Sequence, residues 1–311
     1  MEKAWFRAVR WAVSLGAIGV VAWQLAAHRG ELGAGLGTPW TAGRGWAMLG
    51  LVALAPVNWG LEWWKWGVLS PPWRGWTQLA REYFFGAAAG FVTPNRLGEG
   101  VGRLAWVPRA QREGAARGYL AGAVAQGWVT LAVGGAVLAA GPHPAAALLG
   151  GALCATAAGT LFAYLRWNPP LGRWLPVWER LVGPRHPDRG ALSLRQRGSA
   201  LALGVLRYAT FTAQFWLAFA AAGCGWTAEQ ARAVPLVLLG NTFAPGALLG
   251  ELGVREALTW AILQPAGDEV GATLLAPFLV WLVNLVFPAA VGAVWGLVHP
   301  VVPPVPNEVI P

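Results

Sequence analysis

Two stretches of the chain place a carboxylate and a guanidinium four residues apart, shortly after a proline. The first runs Phe91-Val92-Thr93-Pro94-Asn95-Arg96-Leu97-Gly98-Glu99-Gly100-Val101-Gly102-Arg103. The second runs Asn241-Thr242-Phe243-Ala244-Pro245-Gly246-Ala247-Leu248-Leu249-Gly250-Glu251-Leu252-Gly253-Val254-Arg255-Glu256. Residues i and i+4 share one face of a helix, so Glu99 meets Arg103 and Glu251 meets Arg255. Pro94 and Pro245 break the incoming helix. Gly98, Gly246, Gly250 and Gly253 permit a tight turn and close backbone approach. A helix restarting at Gly98 or Gly250 would present free N–H groups, which suit a phosphate or a carboxylate. The chemistry expected is the binding of a charged group, with Glu99, Arg103, Glu251 and Arg255 as first candidates. Arg96 at the break, Arg207 in an apolar run and Glu256 beside Arg255 follow. The alternative is that both pairs only pin the hairpins, and that Arg207 snorkels to an interface.

These stretches sit in a chain solvated by lipid. Of 311 residues, 56% are hydrophobic and 12% charged, where soluble domains carry roughly 25% charged residues. Apolar runs at 11–27, 46–69, 118–141, 145–165, 199–222 and 271–298 are each long enough to cross a bilayer core of about 30 Å as a helix. Segments 79–107 and 231–263 are apolar but interrupted, so each is a kinked span or a re-entrant hairpin. The fold class expected is all-α: a polytopic membrane protein with about six full spans and two broken hairpins, forming an inverted repeat. Residues 1–311 make one membrane domain. Its halves, about 1–165 and 199–300, flank a basic loop at 166–198, and a Pro-rich tail follows at 301–311.

The net charge of +9 reflects orientation in the membrane and not nucleic-acid binding. Lys3, Arg7 and Arg10 put the N-terminus on the cytoplasmic side of the cell (inner) membrane. Lys65, Arg74 and Arg81, then Arg109, Arg112 and Arg117, then the Arg-rich loop 166–198 fall on that side too. The hairpins then enter from opposite faces, the first from inside and the second from outside. Two broken helices in matching positions mark a transporter with its site near midplane. The run after Arg10 is long for a signal peptide and is read as a retained helix. Cys154 and Cys224 form no disulfide or zinc pattern, and the four His lack metal-ligand spacing. No metal or cofactor is expected. Glu62 and Lys65, near a helix end, are read as interfacial, and so are Arg81 and Glu82. Gly86 and Gly90 mark close helix packing.

At these residues the chain resembles the lysylphosphatidylglycerol synthase transmembrane-region family, the flippase-like integral membrane proteins. Pro94, Gly98, Glu99 and Arg103 match its early motif. Pro245, Gly246, Gly253, Val254, Arg255 and Glu256 match a later one, with Ala247 to Leu252 departing in detail. The resemblance implies movement of a phospholipid, anionic or with a modified headgroup, between leaflets. The chain stops at Pro311 soon after its last helix, so the synthase activity of bifunctional members is not expected. No phosphate-binding loop for ATP is present, and movement would be downhill or ion-coupled. Two other readings stand beside this one. One is a scaffold subunit of a lipid or glycolipid pathway. The other is an intramembrane lipid-modifying enzyme with Glu99 and Glu251 as acid and base. The partners are membrane lipids, and the chain is a monomer or a homo-oligomer.

Overall fold

The long apolar run beginning near residue 46 needs a helix, and its start is fixed by Thr41, whose hydroxyl accepts from the Arg44 N–H at 3.3 Å. In the computed structural model this helix, α1, covers Ala42–Leu69. The structure describes residues 39–70, 72–93, 96–166, 192–225, 227–243, 254–265 and 269–298, with five positions of the N-terminal segment. Most of run 11–27, most of loop 166–198 and the tail 301–311 lie outside the described residues, as do Pro94, Pro245, Gly246, Gly250, Glu251 and Gly253.

The described residues are helical, with no strand among them. α2 covers Trp76–Phe91 and α3 Gly98–Ala105. α4 is Arg112–Ala139 and α5 Pro144–Arg166. α6 is Leu194–Ala222, opened by a reciprocal cap between Ser193 and Gln196. α7 is Ala228–Phe243 and α8 Val254–Leu263. α9, Glu269–Trp281, continues through a π turn at Leu282–Val286 into α10, Phe287–Val298. Three helices, 112–139, 144–166 and 270–298, are long and apolar enough to cross a membrane. α1 and α6 are as long, at 28 and 29 residues, but carry more polar and charged groups.

Both interrupted segments contain two described helices, α2 and α3 in one and α7 and α8 in the other. Each begins with a helix of 16 residues, α2 or α7, and resumes after the break as a shorter one. α2 and α3 fold back on each other along a glycine seam. A Cβ on Gly86 would lie 2.9 Å from the Glu99 carbonyl oxygen, and one on Gly102 would lie 2.9 Å from Gly86 Cα. Thr93 ties the two limbs: its hydroxyl accepts from the Gly98 N–H at 2.8 Å and lies 3.0 Å from the Ala89 carbonyl, to which it donates.

α1 and α6 lie side by side and antiparallel. Arg44 Nε donates to the Ala221 carbonyl at 2.9 Å, and at the opposite ends Gln196 Nε2 donates to the Val68 carbonyl at 2.9 Å. α2 runs antiparallel to α9–α10, with Phe91 on Trp281 and Arg81 over Trp295. α7 lies likewise on α4: Leu239 sits against Gly134, and Arg232 reaches the Ala140 carbonyl. Phe91, Phe215, Phe278 and Trp281 centre a dry core that joins α1, α2, α6, α7 and α9.

Candidate functional site

Four turns into α1 the apolar surface gives way to a polar stripe. Asn58, Glu62 and Lys65 fall at i, i+4 and i+7, one face of the helix. All three are buried. Glu62 and Lys65, expected near a helix end, lie within α1 and are covered by neighbouring helices. Their depth follows from what surrounds them: α3, α4 and α6 each send polar groups or space toward the stripe.

The Glu62 carboxylate meets three cations, Lys65 Nζ at 2.7 Å, Arg103 Nη2 at 3.1 Å and Arg207 Nη1 at 3.4 Å. Glu99 meets Arg103 at 2.5 Å and Arg96 at 2.8 Å. Arg103 therefore bridges two carboxylates from different elements. Its side chain is 2% exposed, and its guanidinium is enclosed by the rings of Trp66, Tyr83 and Tyr119 at 5.3–5.5 Å. Arg96 adopts φ +54°, the left-handed region, inside the break. For a residue with a Cβ this backbone is strained, and it persists where surrounding contacts hold it. Here it accompanies the Arg96–Glu99 pair.

A neutral network anchors Arg207. Asn58 Oδ1 accepts from Arg207 Nε at 3.0 Å. Asn58 Nδ2 donates to Gln214 Oε1 at 2.9 Å and to Asn284 Oδ1 at 2.8 Å. Asn284 belongs to the π turn, and its amide donates to the Val280 carbonyl at 3.1 Å. The distorted turn thus supplies a polar group to the middle of the bundle, as π turns often do at functional sites.

Beside these charges is a cavity of about 300 Å³. Glu62, Lys65, Arg96, Glu99, Arg103 and Arg207 line one side of it. α4 also lines it: Gly118 and Gly122 pack closely on Leu69, Gly127 leaves open space, Gln126 and Thr130 add neutral polar atoms, and Thr242 of α7 completes the lining. Exposed apolar side chains adjoin its lining residues in the sequence. Leu97 and Val101 flank the α3 charges, Phe243 follows Thr242, and Val124 lies between lining residues of α4. Arg96 and Arg207 are the more accessible cations, at 26% and 23% side-chain exposure.

A second ionic group lies behind Trp66. Its indole N–H donates to the fully buried Glu82, which also receives Arg74 at 2.8 Å. Glu82 therefore anchors the α1–α2 connection from a buried position.

Of the residues expected from sequence, Arg96, Glu99, Arg103 and Arg207 come together here, and Gly98 opens α3 as expected. Arg255 and Glu256 are buried at the start of α8 but do not line this cavity. Sequence reasoning missed Asn58, Glu62, Lys65 and Gln126. The i, i+4, i+7 stripe in α1 was the signal for the first three. Among the described residues no group of His, Cys, Asp and Glu could hold a metal ion. Comparison with family models, curated proteins and solved structures gave no match.

Proposed function

We propose that this protein is a multipass membrane protein that moves lipids with an anionic headgroup between the leaflets. The observation that carries the reading is the cavity of about 300 Å³ whose described lining holds four cations and two carboxylates. Ionisable groups inside a membrane each cost roughly 2.5–3.5 kcal/mol on insertion scales and mark substrate pathways. A volume near the lower end of ligand pockets takes a headgroup and leaves acyl chains outside. Leu97, Val101 and Phe243 offer those chains an apolar surface. The accessible guanidinium groups of Arg96 and Arg207 suit an anionic headgroup better than an aminoacylated one, whose ammonium they would repel.

In this reading run 11–27, α1, α4, α5, α6 and α9–α10 cross the bilayer, and α2–α3 and α7–α8 are re-entrant hairpins. Residues 42–139 and 194–298 form an inverted repeat, each half a long helix, a hairpin and a long helix. The antiparallel pairing of α1 with α6 supports it, as does the packing of each hairpin's first limb against the last helix of the other half. The N-terminus faces the cytoplasm. The relation to the flippase-like family rests on the motifs around Glu99 and Arg255.

The test is a liposome assay with the purified chain and a fluorescent phosphatidylglycerol in one leaflet. Faster equilibration than in protein-free vesicles is expected, with loss in Arg207→Gln. Equal rates with and without protein would overturn the proposal.

A further inference from the structure

Arg207 lines the cavity, but the amides that hold it do not. Its Nε donates to Asn58 Oδ1 at 3.0 Å, and its Nη1 lies 3.5 Å from Gln126 Oε1 and 3.4 Å from Glu62. Among the described residues no hydrogen bond or ion pair engages its Nη2. Asn58, Gln214 and Asn284 are buried, and none of the three is a lining residue. A guanidinium has donors and no acceptor, so Asn58 must turn its carbonyl oxygen toward Arg207. Its Nδ2 is then committed to Gln214 Oε1 at 2.9 Å and Asn284 Oδ1 at 2.8 Å. Those two amides donate in turn to main chain, Gln214 Nε2 to the Leu51 carbonyl at 3.3 Å and Asn284 Nδ2 to the Val280 carbonyl at 3.1 Å. Every amide orientation thus follows from the one cation, and a satisfied buried network of this kind is rigid. The acceptor at Nε is neutral. A carboxylate there would hold the guanidinium and cancel its charge, whereas an amide leaves the charge to act on an occupant. Glu62, the carboxylate nearest Arg207, is shared with Lys65 and Arg103.

We infer that Asn58 is a positioning residue of the headgroup site: it fixes the Arg207 guanidinium through a neutral acceptor, so that the cation keeps its charge for an anionic headgroup over a zwitterionic one. This rests on the headgroup reading of the cavity and names what sets its preference. Asn58 acts through Arg207 alone, since it lines no part of the cavity itself.

The experiment is titration of the full chain, in an uncharged maltoside detergent, with short-chain phosphatidylglycerol and short-chain phosphatidylcholine. The readout is the ratio of the two affinities, which a general loss of structure lowers for both lipids alike. Asn58→Asp keeps an oxygen for Arg207 and adds a charge. It should weaken phosphatidylglycerol binding at least about tenfold and leave phosphatidylcholine binding as it was, bringing the ratio toward one. Asn58→Leu removes the acceptor and should lower the ratio by less. In an Arg207→Gln background both substitutions at Asn58 should leave the ratio where Arg207→Gln alone puts it. If Asn58→Leu does not fold, Asn58→Asp in the two backgrounds still decides. An unchanged ratio in Asn58→Asp overturns the positioning role and leaves lipid movement standing. The same fall in the ratio with Arg207 present or replaced also overturns it, because Asn58 would then act without Arg207. No preference for phosphatidylglycerol in the wild type, together with no movement in vesicles, removes both readings.

Discussion

The two hairpins are written alike and placed differently. Each has a first limb of 16 residues and a short second limb with an arginine, with a proline in the sequence between them. Around the first, α1 contributes Glu62 and Lys65 and α6 contributes Arg207, so the Glu99–Arg103 couple becomes part of a network of six ionisable groups. Arg255 and Glu256 of the second hairpin are buried away from that cavity's lining. At the first hairpin the motif joins a wider charge network because α1 and α6 bring further charge to it. The long helices beside the hairpins decide the matter.

The largest expected effect tests this asymmetry directly. Arg103→Met leaves Glu62 and Glu99 without their shared cation, and removing one partner of a buried pair costs about 3–5 kcal/mol. Thermal unfolding in detergent should show a marked loss of stability, and lipid movement should fall to the protein-free rate. Arg255→Met should retain lipid movement. Equal loss of movement in both variants would break the comparison, since it would give the second hairpin the same part in the site.

Next comes the space supplied by α4. A Cβ at Gly127 meets nothing within 4 Å, yet the residue lines the cavity. Gly127→Leu should therefore slow lipid movement strongly while stabilising the helix by up to about 1 kcal/mol, the propensity gain over glycine. Slower transport with unchanged or raised melting temperature sharpens the case for the cavity. Undiminished transport means the headgroup passes elsewhere.

The smallest effect concerns the break itself. Thr93→Val removes the hydroxyl that accepts from Gly98 N–H, and loss of such a cap costs about 1 kcal/mol. Hydrogen exchange should rise at the start of α3 while the long helices stay protected. Unchanged exchange there would show that the glycine seam alone holds the hairpin.

Much of the helical framework was legible. Long apolar runs in a bilayer have few alternatives to helix, because every backbone polar group must be satisfied within the segment. Pro and Gly clusters marked both interruptions, and spacing alone paired Glu99 with Arg103. The burial of Glu62 and Lys65 was missed because distance from the end of a run was used to judge their surroundings. That measure assumes a span surrounded by lipid. One face of α1 is covered by neighbouring helices, so a carboxylate two turns from Leu69 can be buried while Trp46, Leu49, Val52, Val57 and Trp64 stay exposed. The polar stripe with Asn58 carried the right information, since three polar groups on one face point to one shared neighbour. Glu82 was misjudged for the same reason: Trp66 and Arg74, near it in sequence, fold over it.

The sequence by itself determined which segments are helical, where two of them break and which charges pair within a helix, because those interactions span four residues or fewer. Tertiary structure alone decided that Lys65 and Glu62 of α1, Arg103 of α3 and Arg207 of α6 form one cluster. Such long-range pairs depend on how helices cross, and crossing is set by packing of side chains far apart in the chain. The cavity likewise exists because glycines of α4 face the charges of α1, a relation that only the folded bundle creates.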